Sequence, residues 1–231
     1  MTNFSRYAVY FSPPEADDLS KFSAGWFGWN AHNGKSVSYP ILENLNYDLS
    51  DITKEQYRYG FHGTLKPPFL LVDTKNLNDL KFALVELSKS IKKFEIPSIS
   101  LKVLDRFVAI VPTTESKELT ILAKKCVEKL DDFRQVESAK KIQRRRSTGL
   151  SKSEEYNLTR WGYPHVMDNF QFHLTMSGRL KPAVLKNVIE VLNSELQGVL
   201  NKPLPIGEIC LFGENASNGN FQIIQKFSLD D

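Results

Sequence analysis

RYGFHGTLKPPF (58–69) and RWGYPHVMDNFQFHLTMSG (160–178) carry one pattern twice: Phe61-His62-Gly63-Thr64 and Phe172-His173-Leu174-Thr175. With 4 His and 10 Thr in 231 residues, chance supplies only about 0.2 His-x-Thr occurrences. Two of them, each behind a Phe, point to a duplicated functional unit. Side chains alternate across a strand, so His62 and Thr64 share one face while Phe61 and Leu65 share the other. His173, Thr175 and Ser177 repeat the arrangement opposite Phe172, Leu174 and Met176. The apolar sets belong under helices. The His/Thr sets are left to line whatever space lies between the two copies.

The elements around each motif repeat as well. Arg6–Phe11 (RYAVYF) is a β-branched and aromatic strand closed by Pro13-Pro14, and a helix-like stretch runs from Pro14 to about Trp29. Phe61–Leu71 reads as a strand cut by Pro67-Pro68. Leu77, Leu80, Leu84, Leu87 and Ile91 recur at helical spacing, and Ile96–Leu104 is a strand. Arg106–Val111 then opens a second half in the same order. A helix follows at Glu118–Leu130, a short one at Ser151–Arg160 and a strand at Asn169–Ser177. Pro182–Leu200 is a long helix with Pro at its start. Pro205–Phe212 and Phe221–Phe227 form a closing hairpin. This order predicts an α+β protein, a single bilobal domain with lobes 1–105 and 106–231. Antiparallel sheets would flank a central cleft and a pseudo-twofold would bring the motifs together.

Composition agrees with an ordinary globular chain: 41% hydrophobic, 25% charged and 11% aromatic residues. The net charge of +3 is too small to predict nucleic-acid binding. Cys126 and Cys210 lie far apart, which excludes a disulfide scaffold or a structural zinc site and fits a reducing compartment. Met1–Phe11 lacks the apolar run of a signal peptide, and strand-sized stretches such as Phe107–Val111 cannot span a bilayer. The expectation is a cytoplasmic protein without membrane contact.

On these motifs the chain resembles the two-histidine (2H) phosphoesterases, which carry paired His-x-Thr motifs in a bilobal fold. It is most similar to a branch named for phosphonate metabolism. The similarity covers RYAVYF with the following prolines (6–14), 58–69, 160–178 and PLPIGEICLF (203–212). The usual small residue after the first His is here Gly63. The resemblance implies cyclic phosphodiester hydrolysis without metal or other cofactor, by His62, Thr64, His173 and Thr175. It implies a small sugar cyclic phosphate as substrate: 5-phosphoribosyl 1,2-cyclic phosphate, made by carbon–phosphorus lyase and opened to ribose 1,5-bisphosphate. The chemistry suits the residues, because histidine titrates near neutrality and a pair can hold one base and one acid at once. No Asp/His cluster of metal-ligand spacing accompanies them.

Further residues are candidate substrate contacts. Lys66 continues the face of His62 and Thr64, either to neutralise a phosphate or as a solvated lysine before Pro67-Pro68. Tyr7, Val9 and Phe11 form the apolar face of their strand, so Tyr10 faces the cleft as a sugar or phosphate contact, or packs between lobes. Arg144 and Arg145, in the basic run Lys140–Arg146, either grip a second phosphate or decorate a solvated helix. Tyr163 lies on an aromatic turn and is a candidate sugar contact. His32 and His165 lack the Thr and are expected to be structural. Two other functions share these residues: RNA chemistry (a 2′,3′-cyclic phosphodiesterase or a 2′–5′ ligase-like enzyme) and non-catalytic sugar-phosphate or nucleotide binding.

Overall fold

The computed structural model describes residues 3–231. In chain order the elements are β1 (Phe4–Phe11), α1 (Asp18–Phe27), β2 (Trp29–Asn30), β3 (Lys35–Ser36), α2 (Leu49–Ile52), α3 (Lys54–Tyr57), β4 (Gly63–Phe69) and α4 (Leu77–Lys89). There follow β5 (Phe94–Ile96), β6 (Ile99–Leu104), β7 (Phe107–Pro112), α5 (Lys117–Lys129), α6 (Ala139–Arg146) and α7 (Lys152–Trp161). The chain ends with β8 (Leu174–Thr175), α8 (Pro182–Glu195), β9 (Leu204–Ile206), β10 (Glu208–Asn215) and β11 (Phe221–Ser228). The fold is α+β, and its ladders are antiparallel.

Seven strands form one sheet in the order β11-β10-β1-β4-β8-β7-β6. The motif strands β4 and β8 are central, as the repeat predicts, and they are hydrogen-bonded neighbours joined at Gly63↔Leu174. The cleft therefore lies over one face of a continuous sheet. The reason is an exchange of edges. β6, from the first half of the chain, pairs with β7, while β10, from the second, pairs with β1. β5 and β9, which precede those two strands, pair with each other. The exchange makes the halves interdependent.

Alternation sorts β1 as its sequence predicts. Tyr7, Val9 and Phe11 enter the large core beneath the sheet, with Leu80 and Leu84 of α4, Leu122 of α5 and Val188 of α8. Ala8 and Tyr10 join a smaller cluster on the opposite face, with Trp29, Phe212 and Phe221. Trp26 of α1 donates its indole N–H to Met176 O at 2.8 Å, tying the first half to the strand end of the second. Fully burying such side chains stabilises by about 1.5–3 kcal/mol each.

Several elements are shorter than their sequence predicts, two of them markedly. The strand expected over 169–177 pairs only at Leu174 and Thr175, because the chain ahead of it is held in a turn. Asn157 Nδ2 donates to Pro164 O and Val166 O at 3.3 and 2.8 Å, and a 3₁₀ turn at Met167–Asn169 bends the chain away. The helix beginning at Pro182 ends at Glu195, and a bonded turn, Leu200 N–H to Leu196 O at 2.8 Å, replaces its last stretch. Among the described residues no helix is long and apolar enough to cross a membrane.

Candidate active site

Each motif histidine sits one residue ahead of its strand and is oriented by the carbonyl two residues before it. His62 Nδ1 donates to Gly60 O at 2.9 Å, and His173 Nδ1 donates to Gln171 O at 2.8 Å. A carbonyl only accepts, so Nδ1 carries the proton in both rings, leaving Nε2 to accept or, when protonated, to donate. Gly60 makes the first turn possible. Its φ is +67°, and a Cβ there would fall 2.7 Å from Ala31 Cβ. Gly63 answers a different constraint, since a Cβ there would meet the Phe172 ring at 2.5 Å. The small residue between His62 and Thr64 is what lets the motifs lie side by side.

His62 lies in an aromatic niche. Tyr10 stacks on it at 4.0 Å between centroids, with Tyr59 at 5.9 Å and Phe212 at 6.4 Å. Burial, with the charge of His173 as a minor contribution, holds its pKa down to about 4 against the opposing hydrogen bond to Gly60. His173 has one aromatic neighbour, Phe107 at 5.9 Å. The two imidazoles are thus near enough to repel when charged, yet unequal in surroundings.

A cleft of about 600 Å³ opens on this face, with His62, Thr64, Thr175 and Tyr10 in its lining. His173 stands beside it, one residue from Leu174 and two from Thr175. Among the described residues neither Thr hydroxyl hydrogen-bonds another protein group, so both are free for an anion. Ser177, on the same face by alternation, is instead fully buried. Its Oγ accepts from Val108 N–H at 3.0 Å and donates to Gly178 O at 2.9 Å. Ser177 is part of the framework.

The candidate contacts separate. Arg144, Arg145 and Tyr163 line the cleft, with the Arg145 guanidinium 4.5 Å above the Tyr163 ring. Tyr10 also reaches it, but only 1% of its surface is exposed, beneath His62. Lys66 is not in the cleft. β4 pairs Thr64 with Tyr10 and then Lys66 with Val9, and this bulge resets the alternation. Lys66 follows Leu65 under the sheet, where it is 2% exposed and bonds Val127 O at 3.3 Å. Burial lowers its pKa to about 8, although Asp131 at 4.0 Å opposes the shift. Asp131 also pairs with Arg134 and Arg160, which brace the turn that presents Tyr163.

Arg6, Gln56, Tyr59, Lys141 and His165 line the cleft as well and carry no motif signature. Strand alternation does place Arg6 on the face of Tyr10. His165, expected to be structural, pairs with Glu154 at 3.3 Å beside the opening. His32 lies away from the cleft, and burial lowers its pKa. Among the described residues no three metal-binding side chains sit together.

A family model described as "Protein of unknown function (DUF1045)" matches residues 64–222. The chain is 28% identical over 182 residues to a protein of Janthinobacterium sp. (strain Marseille) named ribose 1,5-bisphosphate phosphokinase PhnN, covering 78% of this chain and 40% of that one. It is 25% identical over 218 residues to the like-named protein of Laribacter hongkongensis (strain HLHK9), covering 94% and 50%. The chain thus spans half or less of the length of these curated relatives. Among solved structures it is similar to E. coli LigT complexed with 3′-AMP (TM-score 0.47, 12% identity, 99% of this chain and 100% of that one). It is also similar to TT0787 of Thermus thermophilus (TM-score 0.48, 15% identity, 97% of each).

Proposed function

The chain belongs to the DUF1045 family, and we propose that it is a metal-independent cyclic phosphodiesterase that opens 5-phosphoribosyl 1,2-cyclic phosphate to ribose 1,5-bisphosphate. The observation that carries this reading is the pair of His-x-Thr motifs on adjacent strands, with both Nδ1 atoms committed to carbonyls. Binding a phosphate requires no second titratable ring. Hydrolysing a cyclic phosphodiester does, because one group must take a proton from water and another must give one to the leaving oxygen.

The unequal surroundings suggest how the two divide the work. His62, stacked under Tyr10 and held neutral down to about pH 4, is the base. It takes a proton from water through Nε2 as the water oxygen bonds to phosphorus. The bond from phosphorus to the ribose 2-oxygen breaks, and His173 Nε2–H protonates that oxygen. Transfer of the proton from His62 back to His173 through solvent restores the pair, with one water consumed. Thr64 and Thr175 donate to the non-bridging oxygens as charge builds on them. Arg144 and Arg145 face the 5-phosphate from the cleft wall, and Tyr163 offers its ring to the sugar.

The curated relatives lend support through their ligand. Proteins named for phosphorylating ribose 1,5-bisphosphate contain a region similar to this chain, and the proposed reaction makes that compound.

Phosphorus NMR of the cyclic substrate with chelator-treated protein tests the reading. We expect the cyclic diester resonance to be replaced by a second phosphomonoester, at a rate equal to that of untreated protein. Loss of activity on chelation would remove the two-histidine mechanism. No turnover of the sugar phosphate beside efficient turnover of RNA 2′,3′-cyclic ends would replace the substrate.

A further inference from the structure

We propose that Arg6, held in place by Glu214, is the fixed residue by which the cleft selects substrates carrying a second, phosphomonoester group. The inference rests on the cyclic phosphodiesterase reading and names the residue that sets its substrate class.

β1 puts Arg6 on the cleft face four residues before Tyr10, with about 13 Å between their backbone positions at the usual rise per residue. There it lines the cleft, its guanidinium against Phe221 at the edge of the aromatic niche. It pairs in register with Glu214 of β10, whose side chain is 6% exposed. Arg6 Nε donates to Glu214 Oε2 at 2.5 Å, and Nη2 donates to Oε1 at 2.8 Å. Ser5 Oγ donates to Oε2 at 2.9 Å, and Arg58 donates to Oε1. A carboxylate offers about four acceptor sites, and these bonds fill them. Burial would raise the pKa of Glu214, but the hydrogen bonds from Arg6, Ser5 and Arg58 hold it to about 2. The carboxylate is therefore ionised wherever the protein works.

Two guanidiniums against one carboxylate leave a surplus positive charge. Arg58 commits its Nε to Gly219 O at 2.8 Å. Arg6 has the Phe221 ring 5.7 Å from its Cζ and Glu214 along one edge, and among the described residues its Nη1 meets no protein acceptor. A partly desolvated guanidinium with an unused donor edge suits a phosphate oxygen. It also differs from the basic run. α6 has no buried residue, and Arg144 is exposed on it, so Arg144 must lose side-chain freedom on binding. Arg145 is held only by its stack on Tyr163, whereas Arg6 is fixed by two hydrogen bonds to one carboxylate. Discrimination belongs to the fixed charge.

The test compares 5-phosphoribosyl 1,2-cyclic phosphate with ribose 1,2-cyclic phosphate, which lacks the distal group, in wild-type protein and Arg6→Gln. The ratio of kcat/KM between the two substrates should fall about ten- to hundredfold in Arg6→Gln, through KM, as expected for a lost hydrogen bond to a charged group. Arg6→Lys, which keeps the charge without the fork, should lose less, and it remains informative if Arg6→Gln does not fold. An unchanged ratio in a folded variant, with both substrates equally affected, would overturn the proposal and reduce Arg6 to a strut between β1 and β10. Calorimetric titration with ribose 5-phosphate separates this from the hydrolysis reading. Should wild-type protein open neither cyclic ester, tenfold weaker binding to Arg6→Gln would still support the anion site, and undiminished binding would overturn it.

Discussion

The two His-x-Thr motifs are alike in sequence and in their own hydrogen bonds, and unlike in what surrounds them. His62 is pressed against Tyr10 at 4.0 Å with two further rings nearby, whereas His173 has one ring at 5.9 Å. Each donates Nδ1–H to the carbonyl two residues earlier. A duplicated unit can therefore supply two copies of one side-chain pair, while neighbours that are not duplicated give each copy its own surroundings. In the proposed reaction that difference is what separates base from acid.

The largest effects should come from removing the rings themselves. His62→Ala and His173→Ala should each lower kcat/KM by about 10²–10⁴, the usual contribution of a positioned acid or base. The double variant should lose far less than the product of the two losses, because both groups act in one step. Steady-state kinetics on the cyclic substrate measure all three. Full activity in either single variant would end the comparison, since one motif would then be ornamental.

Smaller losses are expected from Thr64→Ala and Thr175→Ala. Each removes one hydroxyl donor to a charged oxygen, worth about 1.5–3 kcal/mol, and so about ten- to hundredfold in kcat/KM. The pH profile should keep its shape, because neither hydroxyl titrates in the working range. A displaced limb in either Thr variant would mean that the hydroxyl tunes its histidine, and the asymmetry would not be the work of the aromatic niche alone.

Period-two alternation made much of this legible in the sequence. It sorted Tyr7, Val9 and Phe11 from Ala8 and Tyr10 correctly, and it put Thr64 beside Tyr10 on the cleft side, because β1 and the start of β4 are regular there. It failed at Lys66, two residues further on, where a bulge puts Leu65 and Lys66 on the same side. The prolines at 67 and 68 warned of irregularity without giving its phase. The single sheet was hidden for another reason. Local order gives strands, but whether β6 and β10 stay with their own halves or trade edges is decided by long-range pairing. Arg6 was visible as a cleft-facing residue and silent as to role, because its partner Glu214 is 208 residues away.

The smallest expected effect at neutral pH is the one that probes the niche directly. His62 is the base in the proposed reaction, so kcat/KM should be bell-shaped in pH, its acid limb set by loss of the base's proton. The two titrate as a coupled pair, so each limb belongs to the pair. With the His62 pKa held at about 4 by burial, the acid limb of the wild-type profile should lie near that value. Tyr10→Ala opens the stack to water, and the limb should move up toward about 6.5, the ordinary value for histidine. Tyr10→Phe keeps the ring and should leave it in place. At pH 7 even an ordinary histidine is mostly neutral, so Tyr10→Ala should cost less than about tenfold there, while near pH 5 the loss should be several-fold greater. Stability should follow the same sign. The unfolded chain takes up a proton near about 6.5 and the folded chain only near 4, so the contribution of neutral His62 is present above the unfolded value and is lost as pH falls through that window. Thermal melts of wild-type protein should drop between those values, with a shallower drop in Tyr10→Ala. An acid limb that stays put in Tyr10→Ala would show that the inequality of the two histidines has another source than the ring beneath His62.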